Sequence, residues 1–221
     1  GVVGVAPGAR LWAVKVFDRW GMGRLSWYAC GVDWVASRRD PSDPSRPRFE
    51  VANMSLRTVG RDDGDCGYTN ADPLHSAVCA AVDAGITVVV AAGNDSGPVS
   101  SWVPASYNEV ITVAALADSD GAAGGKGSPD CYSWGTYDRD DTYADFSNYG
   151  SDVDIIASGK CVLSTEMGST YGIMSGTSMA TPAVSGAAAI WLSQHPGQKP
   201  DRVRAVLQAA GGVDWATGTD P

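Results

Sequence analysis

The chain is poor in histidine. His75 and His195 are its only two among 221 residues, so any imidazole-dependent chemistry must draw on one of them or on nothing in this sequence. It is also poor in basic charge: 16 Lys and Arg stand against 25 Asp and Glu, for a formal charge of −9. No cationic cluster is present of the kind a phosphate backbone needs, which excludes nucleic acid as the expected partner. No apolar run approaches the roughly 20 residues that span a bilayer, so no membrane association is expected. The sequence opens at Gly1 with no initiator Met, basic n-region or apolar h-region, and a leader peptide is read as absent or removed.

What is present describes a compact, loop-rich protein. Hydrophobic residues make up 44% and charged residues 19%, with 27 glycines, a balance that excludes disorder. A length of 221 residues predicts one domain over 1–221. Five cysteines suit an oxidising compartment, and their odd number leaves at least one free or paired outside this sequence.

Apolar runs alternate with helical spacing. "RLWAVKVF" (10–17) predicts a buried strand, and Leu25, Tyr28, Ala29, Val32, Val35 and Ala36 then predict a helix. "EVANMSL" (50–56) reads as a second strand. A second helix carries Leu74, Ala77, Val78, Ala81 and Val82 on one face and stops at Gly85. "ITVVVAAGN" (86–94) and "VITVAAL" (110–116) add strands, residues 118–143 read as a Gly- and Asp-rich surface insertion, and "DRVRAVLQAA" (201–210) predicts a last helix with Val203 and Leu207 inward. Strands alternating with helices predict an α/β fold with a mostly parallel sheet flanked by helices, and ligands at the strand C-terminal ends.

The stretch "YGIMSGTSMATPAVSGAAAIWL" (171–192) sets Ser178 at the start of an Ala-rich helix, where free N–H groups and the macrodipole favour nearby negative charge. A bare Ser there is usually a helix cap. The flanking residues change the reading. "GTSMATP" with "VVVAAGN" and "ANMSL" resembles the subtilisin-type serine proteases (peptidase S8), and "FSNYGS" is similar to their proteinase K branch. The resemblance covers nearly the whole chain. It implies a three-layer subtilisin-like fold, a secreted and monomeric serine endopeptidase acting on polypeptides, Ser178 as nucleophile, and Asn94 as the oxyanion donor that ends "AAGN".

The same resemblance implies a substrate cleft. Ser55, Leu56 and Arg57 would form one edge strand, the segment around Gly21 and Gly23 the opposing edge, and Ala91, Ala92 and Gly93 the lead-in to Asn94. Leu25, Tyr28 and Leu56 would line an apolar pocket and Trp102 the rim of the primary pocket, with Arg57 tolerating a nearby acid. It further implies a structural Ca²⁺ held by the carbonyls of Asn108 and Val110 and the carboxylate of Asp154. Disulfides are expected at Cys66–Cys79 and Cys131–Cys161, with Cys30 free or paired elsewhere.

Neither histidine suits the role of base. His75, in "DPLHSAVCAAV", is expected to be a solvated helix residue, and His195 ends the serine's own helix, about five turns from Ser178. In the family, the Asp and His segments precede the residues resembling "GVVGVAPGARLWAVKV". The sequence is therefore read as N-terminally truncated, with base and carboxylate upstream. Two other readings are a sedolisin-type peptidase, against which Asn94 and Met179 speak, and a non-catalytic peptide-binding remnant. An α/β hydrolase would need G-x-S-x-G where 176–180 reads GTSMA.

Overall fold

The computed structural model describes residues 2–128 and 138–211. Helix α1 is Leu25–Ala36, followed by strand β1 (Val51–Met54) and the short β2 (Thr58–Val59). Helix α2 (Pro73–Asp83) leads into β3 (Thr87–Ala91), β4 (Trp102–Val103), β5 (Ile111–Ala117) and β6 (Thr142–Tyr143). Then come β7 (Ile155–Ser158), the hairpin strands β8 (Val162–Glu166) and β9 (Thr170–Met174), α3 (Thr177–Gln194) and α4 (Pro200–Ala210).

The main sheet runs β1-β3-β5-β6, with β7 also on β5. The β1–β3, β3–β5 and β5–β7 pairs are parallel; only the short β6 is antiparallel. Period-two alternation separates the layers. Val88 and Val90 of β3 pack with α1 and α2, while Val89 points the other way, with Ile111, Val113 and Ala115 of β5, against α3 and Val203 of α4. This is the three-layer arrangement expected from the sequence. Every residue of β3 and β5 is buried, which is why both read as continuous apolar runs.

Local chemistry sets the helix starts. Asp72 caps α2 by accepting from the N–H of Leu74 (2.9 Å) and His75 (3.4 Å), and Pro73 fills the first turn, where no N–H partner is needed. Gly85, at φ 92°, ends that segment as expected.

One expected strand is absent. Residues 10–16 form no strand, with Leu11 93% and Trp12 55% exposed. An apolar run becomes a strand only beside a partner ladder, and no described strand pairs with this one. Trp12 instead meets Phe49 edge-on, with the Arg48 guanidinium over its ring. The insertion expected to be all surface is also anchored. Asp140 is buried and accepts from the N–H groups of Ser119 (2.8 Å) and Gly127 (2.6 Å), and Thr142–Tyr143 joins the sheet.

The Cys66–Cys79 disulfide forms as expected, and Cys30 is free and exposed among the described residues. Cys131 lies outside the described residues, and with it the expected Cys131–Cys161 pair. No described helix is long and apolar enough to cross a membrane.

Candidate active site

Ser178 is the second residue of α3, so its N–H has no intrahelical partner. Pro182 lies four residues on. Lacking an N–H, it leaves the Ser178 carbonyl unclaimed, and the Ser55 hydroxyl donates to that oxygen at 3.0 Å. The residue just beyond β1 is thus tied to the residue expected to be the nucleophile.

Asn94 follows the C-terminal end of β3, and its amide orientation is fixed by Thr177. The Thr177 N–H and hydroxyl both lie 2.9 Å from Asn94 Oδ1, and the Thr177 oxygen also accepts from the Gly93 N–H at 3.1 Å. With Oδ1 so engaged, Nδ2 is free to face outward. Gly176 shows where it points: a Cβ added there would sit 3.4 Å from Asn94 Nδ2 and 3.7 Å from Ser178 N. Both donors, which have no protein partner among the described residues, border the space beside Gly176, with Met179 Sδ also 3.7 Å from it, and the absence of a side chain at Gly176, whose φ is 156°, keeps that space open. Such a pair can hold a developing oxyanion.

Behind Asn94 stands Asn148 of "FSNYGS", fully buried and given no role by sequence reasoning. Its Oδ1 accepts from the N–H of Asp95 (2.8 Å) and Gly97 (3.3 Å), and its Nδ2 donates to the Ala92 carbonyl (3.0 Å). Gly93, at φ 106°, lies against that same amide, and no side chain would fit there.

The expected cleft residues divide. Ser55, Leu56 and Arg57 leave β1 and make no backbone–backbone hydrogen bond among the described residues, so their N–H and C=O groups are available to an added strand. Arg57, however, is committed: its Nη2 pairs with Asp95 Oδ1 at 2.8 Å and its guanidinium lies 3.7 Å over the Trp102 ring. The guanidinium is thus already held by Asp95 and Trp102 in the absence of substrate. Tyr28 is buried against Phe17, and Leu25 packs on the same core. Tyr28 and Leu56 do line a groove of about 260 Å³ shared with Leu11, Trp12 and Val32, along the edge of β1. Gly21, at φ 75°, and Gly23 stand before α1.

His75 is not solvated. It is fully buried, its Nε2 is 2.9 Å from Glu109, and its ring stacks on Tyr107 at 4.0 Å. Its carboxylate neighbours come from segments far away in sequence, which hid them from a helical reading. His195 is exposed at the end of α3, its Nδ1 3.0 Å from the Trp191 carbonyl. Seventeen residues of helix put it about 25 Å from Ser178. Neither imidazole is placed to take the serine's proton.

The residues expected to hold Ca²⁺ do not form an open cradle. Asn108 O accepts from Arg204 Nη2 at 2.7 Å, and Asp154 Oδ1 lies 3.7 Å from Arg204 Nε. Asp154 Oδ2 accepts from the Thr112 N–H at 2.8 Å. Burial pushes the Asp154 carboxyl up, with the Thr112 N–H and Arg204 pulling against it. The guanidinium is set where the cation was expected, so a calcium ion does not fit beside it.

The Subtilase family model matches residues 1–215. The chain belongs to the subtilase family. This subtilase is 38% identical over 212 residues to Subtilisin NAT of Bacillus subtilis subsp. natto, covering 95% of this chain and 45% of that protein. It is 37% identical over 240 residues to Serine protease AprX of Bacillus subtilis (strain 168), covering 99% and 49%. The chain therefore spans about half the length of these relatives. Among solved structures, the proteases from Pseudoalteromonas arctica PAMC 21717 align with TM-score 0.75 at 29% identity, over 98% of this chain and 60% of theirs. A cold adapted subtilisin-like serine proteinase aligns with TM-score 0.69, also at 29% identity, over 92% and 61%.

Proposed function

We propose that this chain carries the nucleophile and the oxyanion-stabilising groups of a secreted serine endopeptidase. Ser178 Oγ attacks the scissile carbonyl carbon, and the carbonyl oxygen becomes the oxyanion, received by Asn94 Nδ2 and the Ser178 N–H. Collapse breaks the C–N bond, the amine leaves with a proton, and water later releases the acyl group from Ser178. The base that takes the Ser178 proton is assigned outside residues 1–221, because both histidines here are placed elsewhere. The observation that supports the reading is the Thr177–Asn94 lock, which occupies Asn94 Oδ1 and leaves Nδ2 on the side of Gly176 where the Ser178 N–H also lies. An extended peptide adding to residues 55–57 fits the free backbone there. The Cys66–Cys79 bridge supports an oxidising compartment.

The test is steady-state kinetics of the natural enzyme. Asn94→Ala should lower kcat about 10²- to 10³-fold with KM nearly unchanged, a magnitude known from subtilisin itself and not deduced from this structure. A KM effect alone would assign Asn94 to substrate binding and remove the oxyanion role.

A further inference from the structure

We propose that His75, Asp62 and Asp63 form a binding site for a divalent transition-metal ion of the Zn²⁺ class, distinct from the Ser178 centre and from the oxygens expected to hold Ca²⁺. The argument starts from the tautomer of a fully buried imidazole. Glu109 Oε2 lies 2.9 Å from Nε2, and in a neutral ring we assign the proton to that nitrogen. Nδ1 makes no hydrogen bond, although Asp63 Oδ1 lies 3.1 Å away and Asp62 Oδ1 3.6 Å away. With that assignment, the Nδ1 lone pair lies beside two carboxylates. Among the described residues, Asp62, Asp63, Asp72 and Glu109 form no ion pair with a lysine or arginine. Lone pair and anions repel unless a cation stands between them.

The spacing suits a small ion. Metal–ligand bonds of about 2.0–2.1 Å at tetrahedral angles put neighbouring ligand atoms about 3.3 Å apart, and the two nitrogen–oxygen separations bracket that value. Imidazole nitrogen with carboxylate oxygen favours zinc and its first-row neighbours over Ca²⁺, which takes oxygen alone. The outer groups are those that orient metal ligands. Glu109 holds the far ring nitrogen, and Tyr107 stacks on the ring with its hydroxyl on Asp72 at 2.6 Å. Asp63 accepts four backbone N–H groups, from Asp65, Gly67, Thr69 and Asn70. Asp62 accepts from Gly64 N at 2.7 Å and Asn108 Nδ2 at 2.6 Å. A cavity of about 470 Å³ lined by Arg61, Asp62, Ser106 and Asn108 borders the Asp62 side of the cluster, and the buried Ser106 Oγ also has no partner. The ion would staple the loop before α2 to that helix, beside the Cys66–Cys79 bridge.

The test is calorimetric titration of the chelator-stripped natural protein with Zn²⁺, run on wild type, Asp62→Asn and His75→Gln, with melting temperature followed in parallel. Asp62 is partly exposed and its amide keeps an acceptor for Gly64, so that variant should fold even if loss of His75 does not permit it. Wild type should bind one Zn²⁺ more than either variant, or bind it at least tenfold more tightly, and excess Ca²⁺ should not displace it. Equal Zn²⁺ affinity and stoichiometry in wild type and Asp62→Asn would overturn the site. So would displacement of Zn²⁺ by Ca²⁺, or a nitrogen NMR spectrum of the zinc-loaded protein with the His75 proton on Nδ1.

Discussion

Replacing Asn148 should unseat the loop that carries Asn94. In Asn148→Ala, the Ala92 carbonyl loses its side-chain donor inside a fully buried segment, and the N–H groups of Asp95 and Gly97 lose their shared acceptor. An orphaned buried polar group costs about 1–3 kcal/mol and each lost hydrogen bond about 0.5–1.5. The two N–H groups lie where water can replace their partner, so the total should fall near 3 kcal/mol. Urea unfolding of the natural enzyme gives that number as a shift in midpoint at constant m. Asn94 lies within the loop that Asn148 holds, so kcat should fall at least tenfold under conditions where the variant is still folded. Asn148→Asp separates the causes. It keeps the acceptor but cannot donate to Ala92 O unless protonated, and it stands by the Asp95 carboxylate. Its folded pKa is therefore raised, and the sign follows: stability is present at low pH and is lost as pH rises through that folded value. A loss below about 1 kcal/mol in the alanine variant, with kcat unchanged, would refute the reasoning.

Four further outcomes are expected. Ser55→Ala frees the Ser178 carbonyl that Pro182 leaves unpaired, and should reduce kcat severalfold with a stability loss of about 1 kcal/mol, read by kinetics and urea unfolding together. Arg204→Ala should leave the Asn108 carbonyl and Asp154 without their cation, so calcium should raise the melting temperature of the variant and not of wild type. Asp140 lies below the ordinary carboxylate range, chiefly through the Ser119 N–H and also the Gly127 N–H, against the upward push of burial. Its contribution is present above about pH 4 and lost as pH falls through the depressed value, so hydrogen exchange at Ser119 and Gly127 should accelerate in acid. Residues 1–221 expressed alone should not react rapidly with a fluorophosphonate, since neither imidazole reaches Ser178.

Much of this arrangement was legible in the sequence, for physical reasons that differ by element. All four helices were readable because each carries buried residues on one face or runs between caps and Gly or Pro, and β3 and β5 because both faces are covered. The hairpin of β8 and β9 was not, since all ten of its residues are exposed or only half-buried on a two-stranded ribbon and no apolar alternation marks it. Segment 10–17 has the composition of a strand but lacks the neighbour that makes one. Ser178 and Asn94 were singled out as candidates through short local motifs. Asn148, Arg204 and the surroundings of His75 were not, because each meets groups from 12 to 96 residues away in the chain. A single sequence carries no signal of those meetings beyond the residue types themselves.

The central claim is that Ser178 is the nucleophile and that Asn94 with the Ser178 N–H receives the oxyanion. The most direct measurement is peptide mapping by mass spectrometry of the natural enzyme after fluorophosphonate inactivation, beside its Asn94→Ala and Ser178→Ala variants. The account predicts one phosphonyl group on Ser178, formed at least tenfold more slowly in Asn94→Ala and absent from Ser178→Ala, in step with the loss of peptide hydrolysis. An adduct on any other residue, or undiminished hydrolysis by Ser178→Ala, would contradict it.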